Sequence, residues 1–392
     1  MKLSSRGMFG ATLLCAAGAA SAQTSVTLYG VVDAFGQYVT SGSGTKAGPG
    51  TPYAPGTHVF SEQSGGSTGS LFGLKGSEDL GGGLRAAFDV ENGFKVKDGS
   101  FFGDGALFYR QAWVGLQHDT YGSLTFGRQY QPTFNVLYPA DSFRANEITS
   151  LLAAAILDLG DQRTISTQYT SGRSSNSVIY TSPNLYGLKF SGMYAFTAPY
   201  SVPPTFSGTL GNTLDLSVTY TGGSLYAGFS YMYQHSGNQT VTQGGVGLPL
   251  PLAGTAHYSA ALAYRIGIVN LQALYMYTQP KDVSLSALQT AALRGNTAHS
   301  VSIAAIGATV QATAQDAIEI QGIQRSVRGA HDNALGVQVG IDHSLSKRTS
   351  VYARAGYIKN NGSSVMLWPS AGIPSAAGAT QTLTAIGMTH RF

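Results

Sequence analysis

Apolar and polar side chains alternate with a period of two along run after run of this chain. In Val337-Gln338-Val339-Gly340-Ile341-Asp342-His343-Ser344-Leu345 the odd positions are mostly apolar and the even ones small or polar, the pattern of an extended strand with one greasy and one wet face. Leu84, Ala86, Phe88, Val90 and Phe94 likewise share a face opposite Arg85, Asp89 and Glu91, and Val26, Leu28, Val32 and Ala34 oppose Thr27, Asp33 and Gln37. A soluble sandwich alternates in the same way, so length and spacing have to decide. Many of the runs extend for roughly 9 to 14 residues, where soluble sheets favour about 5 or 6 and a tilted strand needs about 9 to 11 to cross a bilayer.

The connections alternate as well. Residues 78–83, 119–122, 183–187, 221–224 and 346–350 are tight, Gly-rich or polar turns, and between them fall long stretches at 40–70, 131–172, 197–211, 236–255 and 360–380. Short turns on one rim and long loops on the other predict an outer-membrane barrel. The runs begin near residues 26, 69, 84, 107, 123, 173, 188, 212, 225, 256, 269, 298, 318, 335, 351 and 381. The expected fold is therefore all-β, a 16-stranded antiparallel transmembrane β-barrel. An even strand number returns both termini to one rim, and a barrel of about 16 strands encloses a water-filled channel where about 8 would be filled by side chains.

Composition agrees with strands and turns. Only 11% of residues are charged, against about 25% in an average soluble domain, yet mean hydropathy is +0.02. Gly accounts for 51 of 392 residues, with 22 Tyr and 17 Phe. A hydrophobic content of 43% argues against disorder. A helical membrane protein needs repeated apolar runs of about 20 residues, and a disulfide scaffold needs more than the single Cys15.

At the amino terminus Lys2 and Arg6 precede an uncharged stretch from Gly7 to Ala20, followed by the small residues Ala20-Ser21-Ala22. This reads as an export signal over residues 1–22, with the barrel over 23–392. Leu14 before Cys15 argues against a lipid anchor. The formal charge of +4 includes Lys2 and Arg6, so the exported chain carries +2. So few, dispersed charges make nucleic acid a poor partner.

Catalytic patterns are weak. Gly65-Gly66-Ser67-Thr68-Gly69 fits a nucleophile-elbow spacing but lies in a Gly/Ser-rich loop rather than between strand and helix. The 8 histidines show no metal-ligand spacing. The residues suggest no catalytic group, no cofactor and no metal.

Several stretches resemble the trimeric general porins of Gram-negative bacteria, in the form common among beta-proteobacteria. They are Ser25 to Asp33 (SVTLYGVVD), Gly73 to Gly81 (GLKGSEDLG), Val114-Gly115-Leu116 leading to Phe126-Gly127-Arg128-Gln129-Tyr130, Ser182-Pro183-Asn184, Leu345 to Thr349 (LSKRT) and the ending His390-Arg391-Phe392. The resemblance implies a homotrimer in outer-membrane lipid, passing small hydrophilic solutes and ions, with the third outer loop folded inward. Here that loop is 131 to about 172, with an apolar run of helical character over 151–157. It also implies a basic wall facing acidic residues of that loop. Arg128 and Arg173 match wall arginines, and Lys75, Arg85 and Arg163 are further candidates; Asp141 and Glu147 are the candidate acids of the loop. Leu71 and Ile179 stand where the family usually has arginine, which thins the wall. Asp33 and Glu91 are expected on the lumen wall. Phe392, ending an alternating strand with Met388 and Ile386, looks like the address read by the outer-membrane assembly machinery. A passive diffusion channel is the leading expectation. A substrate-specific channel and an outer-membrane barrel hydrolase remain as alternatives.

Overall fold

The computed structural model describes residues 25–43, 56–102, 106–144, 148–157, 172–202, 206–243, 246–252, 254–281, 300–329, 332–362, 364–373 and 375–392. The first half contains β1 (Ser25–Ser41), β2 (Thr57–Ser64), β3 (Leu71–Gly81), β4 (Leu84–Gly93), β5 (Gln111–His118) and β6 (Gly122–Tyr130). After α1 (Pro132–Leu137) and α2 (Leu151–Leu157) come β7 (Arg173–Thr181), β8 (Leu188–Ala195), β9 (Ala198–Val202), β10 (Phe206–Leu210), β11 (Thr213–Gly222) and β12 (Leu225–Gln234). The remainder is β13 (Gly237–Gln243), β14 (Val246–Leu252), β15 (Gly254–Ile266), β16 (Val269–Lys281), β17 (Val301–Gln311), β18 (Asp316–Val327), β19 (Asp332–Ser344), β20 (Thr349–Asn361) and β21 (Thr380–Arg391).

All pairings are antiparallel, and the sheet closes where β21 returns to β1, from Val31 opposite Arg391 to Ser41 opposite Gln381. Seventeen strands make the main sheet. β2 and β3 lie end to end along β1, pairing with its residues 34–41 and 25–31, so the two form one interrupted stave of a closed 16-stranded barrel. Strands begin within about four residues of the expected positions. The largest shift is β5, which opens at Gln111 rather than near 107.

Three features depart from the expected loops. β2 falls inside the stretch read as loop 40–70, because its eight residues are short and follow a Gly/Pro-rich run. Hairpins β9–β10 and β13–β14 arise from the stretches read as loops 197–211 and 236–255. They join through β10 and β13 into a separate 4-stranded sheet.

The alternation sorts as expected for a wall between lipid and water. Val337, Val339 and Ile341 point outward at 58%, 46% and 43% exposure, while Gln338 between them is 2% exposed. The last strand shows Ile386, Met388 and Phe392 outward. Phe392 and Gly30 exchange backbone hydrogen bonds of 3.1 Å each. A Cβ at Gly30 would lie 2.3 Å from the Phe392 ring, so the terminal aromatic sits on a seat only glycine leaves open.

The break between β2 and β3 is organised by one carboxylate. Asp33, wholly buried on the inner row of β1, accepts the backbone N–H groups of Gly66 (2.8 Å), Ser67 (3.1 Å) and Thr68 (3.1 Å). It also accepts the hydroxyls of Tyr352 (2.7 Å) and Thr389 (2.5 Å), tying β20 and β21 to the interruption. Removing it strands several buried donors at about 1–3 kcal/mol each. Asp33→Ala is expected to destabilise the folded barrel by more than about 3 kcal/mol, read as a lower denaturant midpoint for the gel-mobility shift between folded and unfolded forms; an unchanged midpoint would contradict this role.

Candidate pore constriction

The chain leaving β6 stays against the wall. Asp215, Gln272, Gln321 and Gln338, which hold it, are buried and each has an outward apolar neighbour, which places them on inner rows. Asp215, flanked by outward Leu214 and Leu216, accepts the Thr133 backbone N–H (3.0 Å) and hydroxyl (2.6 Å), satisfying a donor in the first turn of α1. Val136 and Leu137 are buried, and Val136 rests where a Cβ on Gly228 would come within 2.9 Å. The Tyr226 hydroxyl donates to the Val136 carbonyl (2.8 Å). A 3₁₀ turn over Tyr138–Ala140 follows. The Gln272 amide then donates to the Pro139 carbonyl (3.1 Å) and its oxygen accepts the Ser142 hydroxyl (3.0 Å). Asp141 accepts from Gln321. Further on, Gln338 accepts the Leu151 N–H (3.1 Å), and α2, the apolar run expected over 151–157, packs on β18 and β19.

On the opposite side of the chain's path, β1 and β3 to β7 carry a mixed wall. Lys75 faces Asp89 across the ladder, its Nζ 5.0 Å from the Tyr29 ring. The Tyr29 hydroxyl is shared between Asp89 (2.7 Å) and Glu91 (3.1 Å). Arg110 pairs through Nε with Glu91 and donates from Nη2 to the Tyr130 hydroxyl (3.1 Å). Arg173 donates to that same hydroxyl, with its guanidinium 4.1 Å from the Tyr130 ring centroid. Lys75, Glu91 and Arg173 thus belong to one connected group, and Arg110 is its hub.

The other sequence candidates sit elsewhere. Arg85 forms an exposed pair with Asp119 (2.5 Å) on the rim of short turns, away from this group. Arg128 faces Ala112 across the β5–β6 ladder. Gly127, at φ +130°, precedes it at a shift in the β6–β7 register. Its guanidinium turns to the Tyr109 carbonyl (2.5 Å) and Ser175 hydroxyl (2.8 Å). Asp33 lines the inner row but is consumed by the turn it caps. Asp141 is held on the segment near β18. Glu147 and Arg163 lie outside the described residues.

Sequence reading missed Arg110, since it shares the parity of outward Ala112 and Val114 and turns inward only because it precedes the strand. Arg354 was also missed. It is buried on β20, bonded to Asp342 at 2.8 Å with Glu319 at 3.8 Å, its guanidinium 5.4 Å from the Phe143 ring of the inner segment. Alternation could have found it, because Arg354 lies in phase with Tyr352 and Ile358.

A second segment occupies the inner face. Between β20 and β21, in the stretch read as an outer loop, Trp368 is fully buried and its backbone N–H donates to the Gln381 side-chain oxygen (3.1 Å). A Cβ on Gly356 would lie 2.5 Å from the indole, so the inner row of β20 has a glycine where the ring docks. Gln37 donates to the Ser370 carbonyl (2.6 Å) and Asn360 to the Met366 carbonyl (2.9 Å).

A closed antiparallel barrel with an apolar exterior and a polar, charged interior defines an outer-membrane channel. The family model for Gram-negative porins matches residues 10–363, and the chain belongs to that family. An outer membrane porin protein of Bordetella pertussis is 28% identical over 402 residues, covering 96% of each chain. Among solved structures, the anion-selective porin from Comamonas acidovorans superposes with a TM-score of 0.73 at 24% identity, covering 94% of this chain and 100% of that one. The outer membrane protein OmpT of Vibrio cholerae, in a trimer form, gives 0.58 at 14% identity over 94% and 99% of the two chains.

Truncating Trp368 to Ala removes an anchor whose burial is worth about 3–5 kcal/mol. Trp368→Ala is expected to free the segment and raise single-channel conductance and current noise in planar bilayers; conductance identical to the unaltered protein would mean that the segment does not narrow the path.

Proposed function

We propose that this outer-membrane porin is a general diffusion channel whose bore is narrowed between the segments 131–144 and 148–157 and the wall of β3 to β7. Small hydrophilic solutes and ions cross it passively, as the family does. What supports the narrower reading is that Lys75, Arg110 and Arg173 belong to the β3 to β7 side of the closed sheet, while Asp141 is bonded to Gln321 of β18 on its far side. Opposed charges set a transverse field across the water between them, favouring polar, hydrated solutes over apolar ones of equal size.

Three further parts belong to the proposal. Residues 1–22 act as a removed export signal, and Phe392 on its Gly30 seat is presented to the assembly machinery. Three copies assemble, a reading supported by the trimer form of the Vibrio protein. We read the protein as a channel and not as a hydrolase because the family to which the chain belongs is one of porins.

Stepwise conductance of the purified protein in potassium chloride tests the channel; its absence sinks the proposal. Ion preference tests the wall. Arg173→Gln is expected to move the reversal potential in a salt gradient toward cation preference, and Arg128→Gln, whose guanidinium is tied to the Tyr109 carbonyl and the Ser175 hydroxyl, to move it less. A larger effect from Arg128 would reverse the assignment of wall residues.

A further inference from the structure

The segment that enters the bore carries an aromatic stripe on its water side. Pro132, Thr133, Val136 and Leu137 are buried against the wall, whereas Phe134 is half-buried and Asn135 and Tyr138 are exposed. Tyr130, Phe134 and Tyr138 follow one another at intervals of four, so they share one side of the turn. The Tyr130 and Phe134 rings are stacked with centroids 4.7 Å apart and planes at 20°, and Phe134 meets Tyr138 at 5.9 Å and 37°. Gly172, at φ +61°, seats the Phe134 ring, since a Cβ there would fall within 2.4 Å of it. The Gln131 N–H closes this corner on the Gly172 carbonyl (2.9 Å). The run ends over a buried cation, with the Arg173 guanidinium 4.1 Å from the Tyr130 centroid on which it lies.

A bore that only passes hydrated ions has no use for aromatic faces toward its water. Apolar surface there gains free energy when a planar ring covers it, through burial and offset stacking. The charge at the Tyr130 end selects the sign of the solute. From these two features we infer that the channel has an affinity for aromatic carboxylates, whose ring slides along Tyr138 and Phe134 with the carboxylate toward the Tyr130 end, drawn by the field of the buried cations rather than by contact with them. The affinity must be weak, because a solute held tightly does not leave. This inference rests on the channel reading and deepens it by naming a solute class.

Benzoate and cyclohexanecarboxylate are alike in charge and size and differ in aromaticity. With the unaltered protein in planar bilayers carrying potassium chloride current, benzoate is expected to reduce the current at an about two- to tenfold lower concentration than cyclohexanecarboxylate, the range a single stacking contact provides. Neutral benzamide is expected to block less well than benzoate. In Phe134→Leu and Tyr138→Leu, which keep apolar bulk without a ring face, the preference for benzoate should shrink toward one, with chloride current reporting that the variant channel is folded and open. Equal block by the two carboxylates in the unaltered protein overturns the inference, as does a benzoate preference that survives both substitutions. Absence of chloride current in the unaltered protein is a different outcome, which overturns the channel reading itself.

Discussion

Hydrocarbon offers no hydrogen-bonding partner, so a backbone N–H or C=O facing lipid without one costs several kcal/mol. A sheet in that medium cannot keep an edge. The return of β21 to β1 over Val31–Ser41 removes the last one, and the terminal residue carries the ladder to its end through the Gly30–Phe392 exchange. The period-two sequence follows from closure: once the wall is a single layer, each side chain faces either lipid or the bore.

Closure moves the problem of unsatisfied polar groups from the outside to the inside. The inner rows are polar, and segments resting on them need partners for their own backbone. This chain meets that need with side chains aimed at single main-chain groups. Asp33 collects the N–H groups of the β2–β3 break, Asp215 takes that of Thr133, Gln338 that of Leu151 and Gln381 that of Trp368. Where apolar groups dock, the wall supplies a glycine, Gly228 under Val136 and Gly356 under Trp368. Much of the interior charge is therefore structural. Counting acids and bases in a strand says little about what a passing ion meets.

Legibility in the sequence follows the same division. Strand existence, order and facing were readable because lipid imposes a strict alternation on each crossing. The apolar run at 151–157 was readable as helix because its composition has no other use in a loop. What escaped depends on contacts across the bore or on breaks in alternation. Asp33 is an inner-row acid by parity, but its role as a cap needs Gly66, Ser67 and Thr68 to be brought beneath it. Tyr130, Phe134 and Tyr138 are hard to see in the sequence because their spacing of four spans a strand end and a short helical turn. β2 and the two outer hairpins lie where Gly and Pro mask short alternations.

Arg128 and Arg110 mark the limit of parity reasoning from both sides. Arg128 belongs to a motif, Phe126-Gly127-Arg128, that resembles a pore-wall stretch; the ladder sets it opposite Ala112, the conformation open to Gly127 lets the strand shift register with β7 just there, and its guanidinium is taken up by the Tyr109 carbonyl and Ser175 hydroxyl. Arg110 has outward parity and lies inside. Its strand has not begun, and Glu91 with the Tyr130 hydroxyl draws it across. Both cases occur at the end of a crossing, where pairing on one side lapses and twist replaces pleat. Residues at such ends are therefore those whose facing alternation predicts least well.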